Sequence, residues 1–371
     1  MKNDKDRYWD CLDQAMEASH GGRIDEALAW LDEALKAHPA GAEAHNGRGE
    51  ILWDEGRLDE ALYEFGRATT ADPKFAAAHL NRIELLVEEF GEFETALHHV
   101  DELLAGRPEF PRLDRSFQAE LYYLKSKALF YRDDLEGALF LVRRAMKSVG
   151  DQPAYAAFEG HVLFEMGRFE EARRVLEQAA AMDPEAPHIV YSLALVLDRL
   201  ASAASSEAAE SDGARDGKDD EGKIDVLAEF ARSAFERANA LDPGQYPLPT
   251  EIEDTAFREA VAEALDNLPR SVREYIDNVP VLVEDYPDAH LVEIERVSPQ
   301  ILGIFVGVPR TEAQETAQVP SLDRVVIYKK NLERVCRDRD ELVEQIQITV
   351  RHEIGHYLGL DEHDMERLGL A

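Results

Sequence analysis

Gly22-Arg-Ile-Asp-Glu-Ala27-Leu28 recurs as Gly56-Arg-Leu-Asp-Glu-Ala61-Leu62, so one phrase returns after 34 residues. Each copy continues with an alanine seven positions beyond its own (Ala34, Ala68) and a proline twelve beyond (Pro39, Pro73). A looser third copy is Gly91-Glu-Phe-Glu-Thr-Ala96 with Pro108. A degenerate fourth surrounds Ala138 and Ala145, and a clean fifth is Gly167-Arg-Phe-Glu-Glu-Ala172 with Ala179 and Pro184. Glycine and proline held in phase at this period predict stacked helical hairpins rather than an arbitrary bundle.

Packing between paired helices explains the residue types. Gly49 and Gly160 fall where the first helix of a repeat needs a small residue against its partner, and Ala27, Ala61 and Ala172 serve the second helix in the same way. Phe65, Val100 and Leu176 are placed to fill the gap to the next repeat, and the proline ends the second helix. On these residues the segment from about 8 to 245 resembles the tetratricopeptide repeat family. That resemblance implies an all-α superhelix with a concave groove for a protein or peptide partner. The sixth repeat is split, with helices at about 188–200 and 223–241, where Ala231, Phe235, Ala238 and Pro243 keep the phase. Between them, residues 201–222 carry no large apolar side chain, and a disordered acidic insert is expected there.

After Pro243 the beat is lost. Residues 244–250, Gly-Gln-Tyr-Pro-Leu-Pro-Thr, read as a linker, which gives a repeat module over 1–245 and a second domain over 246–371. Phe257, Val261 and Leu265 form an apolar stripe at helical spacing. Three β-rich runs follow at 279–284, 301–308 and 324–328, and then a long helix from about Arg339 to Leu358. The fold class expected is therefore multidomain: a helical-repeat superhelix followed by a small α+β domain.

The last helix contains His352-Glu353-Ile354-Gly355-His356. A spacing of four puts both imidazoles on one helical face, one turn apart, where they can share a tetrahedral metal ion. Glu353 is one step round, beside the metal rather than on it, where a carboxylate can move protons. Val343, Ile346, Val350, Ile354 and Tyr357 form the opposite, apolar stripe, so the helix buries that side and turns the histidines toward a cleft. Gly359 ends the helix, and the metal-capable Asp361, Glu362 and His363 come straight after.

Together with Phe257–Pro269, Asn278–Pro287, Leu302–Pro309 and Val326–Leu332, this motif makes residues 251–371 resemble a minimal zincin-like family of small bacterial domains with a metzincin-like motif. The resemblance implies zinc as cofactor, His352 and His356 as ligands, Glu353 as the catalytic base, and a metallopeptidase activity. In the extended zincin pattern the third ligand falls three residues after the glycine, which is Glu362. His363 is the alternative on ligand chemistry, since imidazole binds zinc readily. The strand near Ile301–Val308 and the loop 309–320 are candidate substrate walls. Tyr328 and Tyr357 are read first as core or rim packing, with steadying an oxyanion as the other role open to them. The other reading is a non-catalytic scaffold for protein interaction whose zinc domain is structural or inactive.

Composition narrows the partners. Against 41 Lys and Arg stand 76 Asp and Glu, a net charge of −35 that repels phosphate backbones and anionic lipid, so nucleic acid and membrane are not expected partners. Cys11 and Cys336 are far apart and read as ordinary thiols. The charged start leads into no apolar stretch, and no run approaching about eighteen apolar residues is read elsewhere, so the cytoplasm is the expected location.

Overall fold

The computed structural model describes residues 4–210, 218–269, 272, 273, 276, 279–307, 323–360 and 363, in two compact units, 1–162 and 163–371. In the first unit helices alternate as the repeat predicts: α1 (Asp4–His20), α2 (Ile24–Ala37), α3 (Ala42–Asp54), α4 (Leu58–Ala71), α5 (Ala76–Glu88), α6 (Phe93–Leu104), α7 (Arg115–Tyr131) and α8 (Leu135–Val149), with α9 (Pro153–Glu165) at its end. The turn inside each hairpin needs a left-handed residue. Gly22, Gly56, Gly91 and Gly167 supply it at φ of 70°, 71°, 63° and 75°. In the degenerate fourth repeat Asp133 takes the same place at φ 61°, a cost that glycine avoids.

Small residues sit where close packing requires them. A Cβ on Gly49 would come within 2.6 Å of the Phe65 ring, and Phe65, Ala61 and Val100 are fully buried. Consecutive first helices, α1, α3, α5 and α7, touch one another directly, which is what curvature toward an inner face lined by first helices produces.

The second unit opens with α10 (Phe169–Met182), α11 (Pro187–Glu210) and α12 (Lys218–Leu241). Here two expectations are corrected. Residues 201–210 and 218–222, read as part of a disordered insert, are helical, while 211–217 lie outside the described residues. Alanine and glutamate are strong helix formers, and Ala201 joins a buried cluster with Leu197, Leu227 and Ala231, so helix pairing continues past the point where large apolar side chains stop. One helix segment, Pro187–Ser206, is also long and apolar enough to cross a membrane by length and composition. Its Ile189, Val190, Ala194, Val196 and Leu197 are buried and the helix packs on α10 and α12, with 39% of the apolar window buried in all.

Beyond α12 the chain forms α13 (Asp254–Asp266), β1 (Val281–Glu284), α14 (Ala289–Glu293), β2 (Gly303–Val306), β3 (Arg324–Tyr328), α15 (Lys329–Val335) and α16 (Arg339–Leu358). The sheet order is β1-β3-β2, with β1 parallel and β2 antiparallel to β3. Asp338 caps α16 by accepting from the Asp340 and Glu341 N–H groups. Leu342, Ile346, Val350 and Ile354 of α16 are fully buried against Phe257 and Val261 of α13 and Val325 and Ile327 of β3.

Polar contacts tie these elements to α11. Asp198 accepts from Arg334 Nη2 at 2.6 Å and from the Tyr286 hydroxyl, and Arg199 donates to the Pro287 carbonyl. The Arg199 and Arg334 guanidiniums lie 5.1 and 4.8 Å from the centre of the Tyr286 ring. The expected linker is bound as well: Thr250 donates through N to the Glu333 carbonyl and through Oγ1 to that of Cys336.

Candidate metal centre

Helix α16 carries the motif on the turn before its end. Gly359 closes it in the left-handed conformation, φ 73° and ψ 29°, with its N–H and that of Leu360 returned to the carbonyls of the last turn. Against the buried stripe, His352 and His356 turn together, with their Nε2 atoms 3.0 Å apart and ring planes at 88°. Two imidazoles on one tetrahedral zinc place their nitrogens about 3.3 Å apart, given Zn–N bonds of about 2.0–2.1 Å. The pair therefore fits a shared zinc ion by donor type and by spacing.

Glu353 is only 7% exposed. Burial pushes its carboxyl above the usual range, while His352 and a hydrogen bond from the Phe305 N–H pull the other way. The residue that lets β2 approach the carboxylate is Gly303. A Cβ there would lie 2.9 Å from Thr349 Cγ2 and 3.0 Å from Glu353 Cγ. Neither Gly303 nor Phe305 stands out in the sequence as a site residue; the available signal is a glycine inside a strand, which marks a close approach of backbone.

Among the described residues no three His, Cys, Asp or Glu side chains come together as a metal group. Asp361 and Glu362 lie outside the described residues, as does the loop 309–320, and His363 is in an exposed helical position. Of the tyrosines weighed for the oxyanion, Tyr328 is fully buried, and Tyr357 packs on Phe305 with ring centres 5.4 Å apart. Cys11 and Cys336 are buried free thiols.

Residues 276–370 match the family described as zincin-like metallopeptidase, and residues 12–74 and 159–220 match a tetratricopeptide repeat family. The chain carries tetratricopeptide repeats and a zincin-like metallopeptidase domain. Comparison with curated proteins gives no match. Among solved structures, pilF of Pseudomonas aeruginosa is 17% identical at a TM-score of 0.48, over 71% of this chain and all (100%) of that one. A thermophilic TPR protein of Thermus thermophilus is 20% identical at a TM-score of 0.42, over 51% and 98%. PilW, a type IV pilus biogenesis factor, is 16% identical at 0.49, over 64% and 94%. These are likenesses of fold. The zincin-like domain implies zinc binding, and tetratricopeptide repeats generally mediate protein or peptide binding.

Proposed function

We propose that the chain is a zinc-dependent metallopeptidase, with residues 246–371 as the hydrolytic domain and residues 1–245 docking a protein substrate or partner in the cytoplasm. The observation that carries the reading is the 3.0 Å convergence of His352 and His356 beside the buried Glu353. His352, His356 and Glu362 would hold the ion, with His363 as the alternative third ligand. Zinc, when bound, supplies Lewis acidity toward a carbonyl and toward water.

The chain's own groups do the rest. Glu353 takes a proton from the attacking water and delivers it to the departing amine nitrogen, a task suited to a carboxyl held above its ordinary range by burial. The Phe305 N–H orients that carboxylate, and Gly303 leaves it room. Among the described residues strand β2 is an edge of the sheet, where an extended peptide can pair and lie across the histidines. The test is hydrolysis of casein by the zinc-loaded chain, with and without chelator, beside Glu353→Gln. Chelator-sensitive cleavage that the variant loses is expected. Zinc bound with no cleavage of casein or of a peptide library would leave the scaffold reading.

A further inference from the structure

The inner face of the first unit is chemically biased. At helical spacing, α3 presents Glu43, Asn46 and Glu50, α5 presents Asn81, Glu84 and Glu88, and α7 presents Glu120, Tyr123, Lys127 and Tyr131. These stripes are linked one repeat apart. Asn81 Nδ2 donates to Asn46 Oδ1 at 3.1 Å and to Glu50 at 2.9 Å, and the Tyr155 hydroxyl of α9 donates to Glu120 at 2.8 Å. Aromatic faces continue the surface. Tyr123 packs on Phe158 with ring centres 5.6 Å apart, Phe130 on Phe158 at 5.6 Å, and Phe93 stacks on Tyr131 at 5.6 Å. Tyr131 is 49% exposed.

Lys127, the cation on these stripes, shows what the surface accepts. Its ammonium lies 5.3 Å from the centre of the Tyr123 ring, 2.6 Å from Glu88 and 3.7 Å from Glu84. It is held between an aromatic face and the carboxylates of Glu84 and Glu88. Glu43, Glu50 and Glu120 on the same stripes carry three further negative charges, bonded among the described residues only by the neutral groups of Tyr8, Asn46, Asn81 and Tyr155. The surplus is felt locally: burial pushes Glu84 up and its neighbours Glu88 and Glu120 push it further, against the pull of Lys127. A second cation brought by a partner would relieve that repulsion and find aromatic rings to stack on.

We propose that this face docks a cationic partner segment, one bearing lysine or arginine side chains, so that the hydrolytic domain is supplied with basic rather than acidic proteins. The inference rests on the docking role proposed above for the repeats. Binding is read without metal or cleavage, so it stands or fails separately from the peptidase reading.

The probes are fluorescein-labelled Ala-Lys-Pro-Arg-Ala-Lys and its counterpart Ala-Glu-Pro-Glu-Ala-Glu, titrated by anisotropy into the full chain. The cationic peptide is expected to bind at least about tenfold tighter, and more weakly as salt rises. The pair Glu84→Gln/Glu88→Gln should weaken it about tenfold, and Tyr131→Ala severalfold. The control Glu26→Gln/Glu60→Gln removes the same charge from exposed positions on the second helices α2 and α4, and should change affinity less than about twofold. Circular dichroism verifies that each variant is folded. Equal weakening by both pairs would mean that only the overall negative field acts and would overturn the assignment, as would equal binding of the two peptides.

Discussion

Asp198→Ala tests whether the C-terminal elements depend on α11. Asp198 is 19% exposed and Arg334 7%, at 2.6 Å, and Asp198 also accepts from Tyr286. Removing one partner of a buried ion pair costs about 3–5 kcal/mol, because the other charge stays in low dielectric without compensation. Partial exposure of Asp198 moves the expectation to the lower end, about 3 kcal/mol. For a unit of this size each kcal/mol shifts the midpoint by about 2–4 °C, so the melting temperature of the second unit should fall by about 6–12 °C. All three tryptophans, Trp9, Trp30 and Trp53, are in the first unit, so their fluorescence gives an internal reference while far-UV circular dichroism follows both units. Asp198→Leu with Arg334→Met, which replaces both charges by apolar groups, should recover to within about 1 kcal/mol of the parent. A cost below about 1 kcal/mol for Asp198→Ala would mean that Arg334 keeps access to water in solution, and would refute the buried pair.

Metal analysis should find close to one zinc per chain, which His352→Ala or His356→Ala strips and Glu353→Gln retains; unchanged zinc in either histidine variant refutes the site. Zinc titrations of Glu362→Ala and His363→Ala side by side assign the third ligand, and the expected loss of orders of magnitude falls on Glu362→Ala. Gly303→Ala should cost about 1–3 kcal/mol by overpacking and lower turnover by displacing Glu353, so unaltered activity would separate β2 from the site. Burial, with His79, Arg82 and His98 adding to it, pulls His99 down to about 3, so the unfolded chain binds the proton near pH 6.5 and the folded one does not. That stabilisation is fully present above about pH 6.5 and is lost as pH falls toward 3, by on the order of 2 kcal/mol at pH 5, seen in urea unfolding followed by tryptophan fluorescence. His99→Phe should flatten this dependence, and an unflattened curve points to other groups.

What can be read from the chain follows the range of the interactions. The turn glycines, the small and large positions of the repeats and the span of α16 from Arg339 to Leu358 are set by spacing within a hairpin or a helix, and all are legible. Residues 201–210 mislead because they lack large apolar side chains and are nevertheless ordered, since alanine needs only a neighbouring helix to be buried. The approach of Gly303 to Glu353 and the meeting of Asp198 with Arg334 join residues 50 and 136 positions apart, and no local pattern announces such pairs. The pairing of His352 with His356 is the opposite case, since one helical turn decides it.

The packing of Arg199 and Arg334 on the Tyr286 ring has an evolutionary corollary. Repeat arrays lengthen and shorten by duplicating or deleting hairpins, and each such event rotates whatever lies downstream by a fixed step. A hairpin gained or lost before residue 163 leaves the graft between α11 and the sheet untouched, so that stretch is free to diversify as partners change. A hairpin inserted after α11 would pull Asp198 and Arg199 away from Tyr286 and Arg334. In homologous chains, therefore, variation in repeat number should accumulate upstream, and the last hairpin should be inherited with the zincin-like domain as a single block.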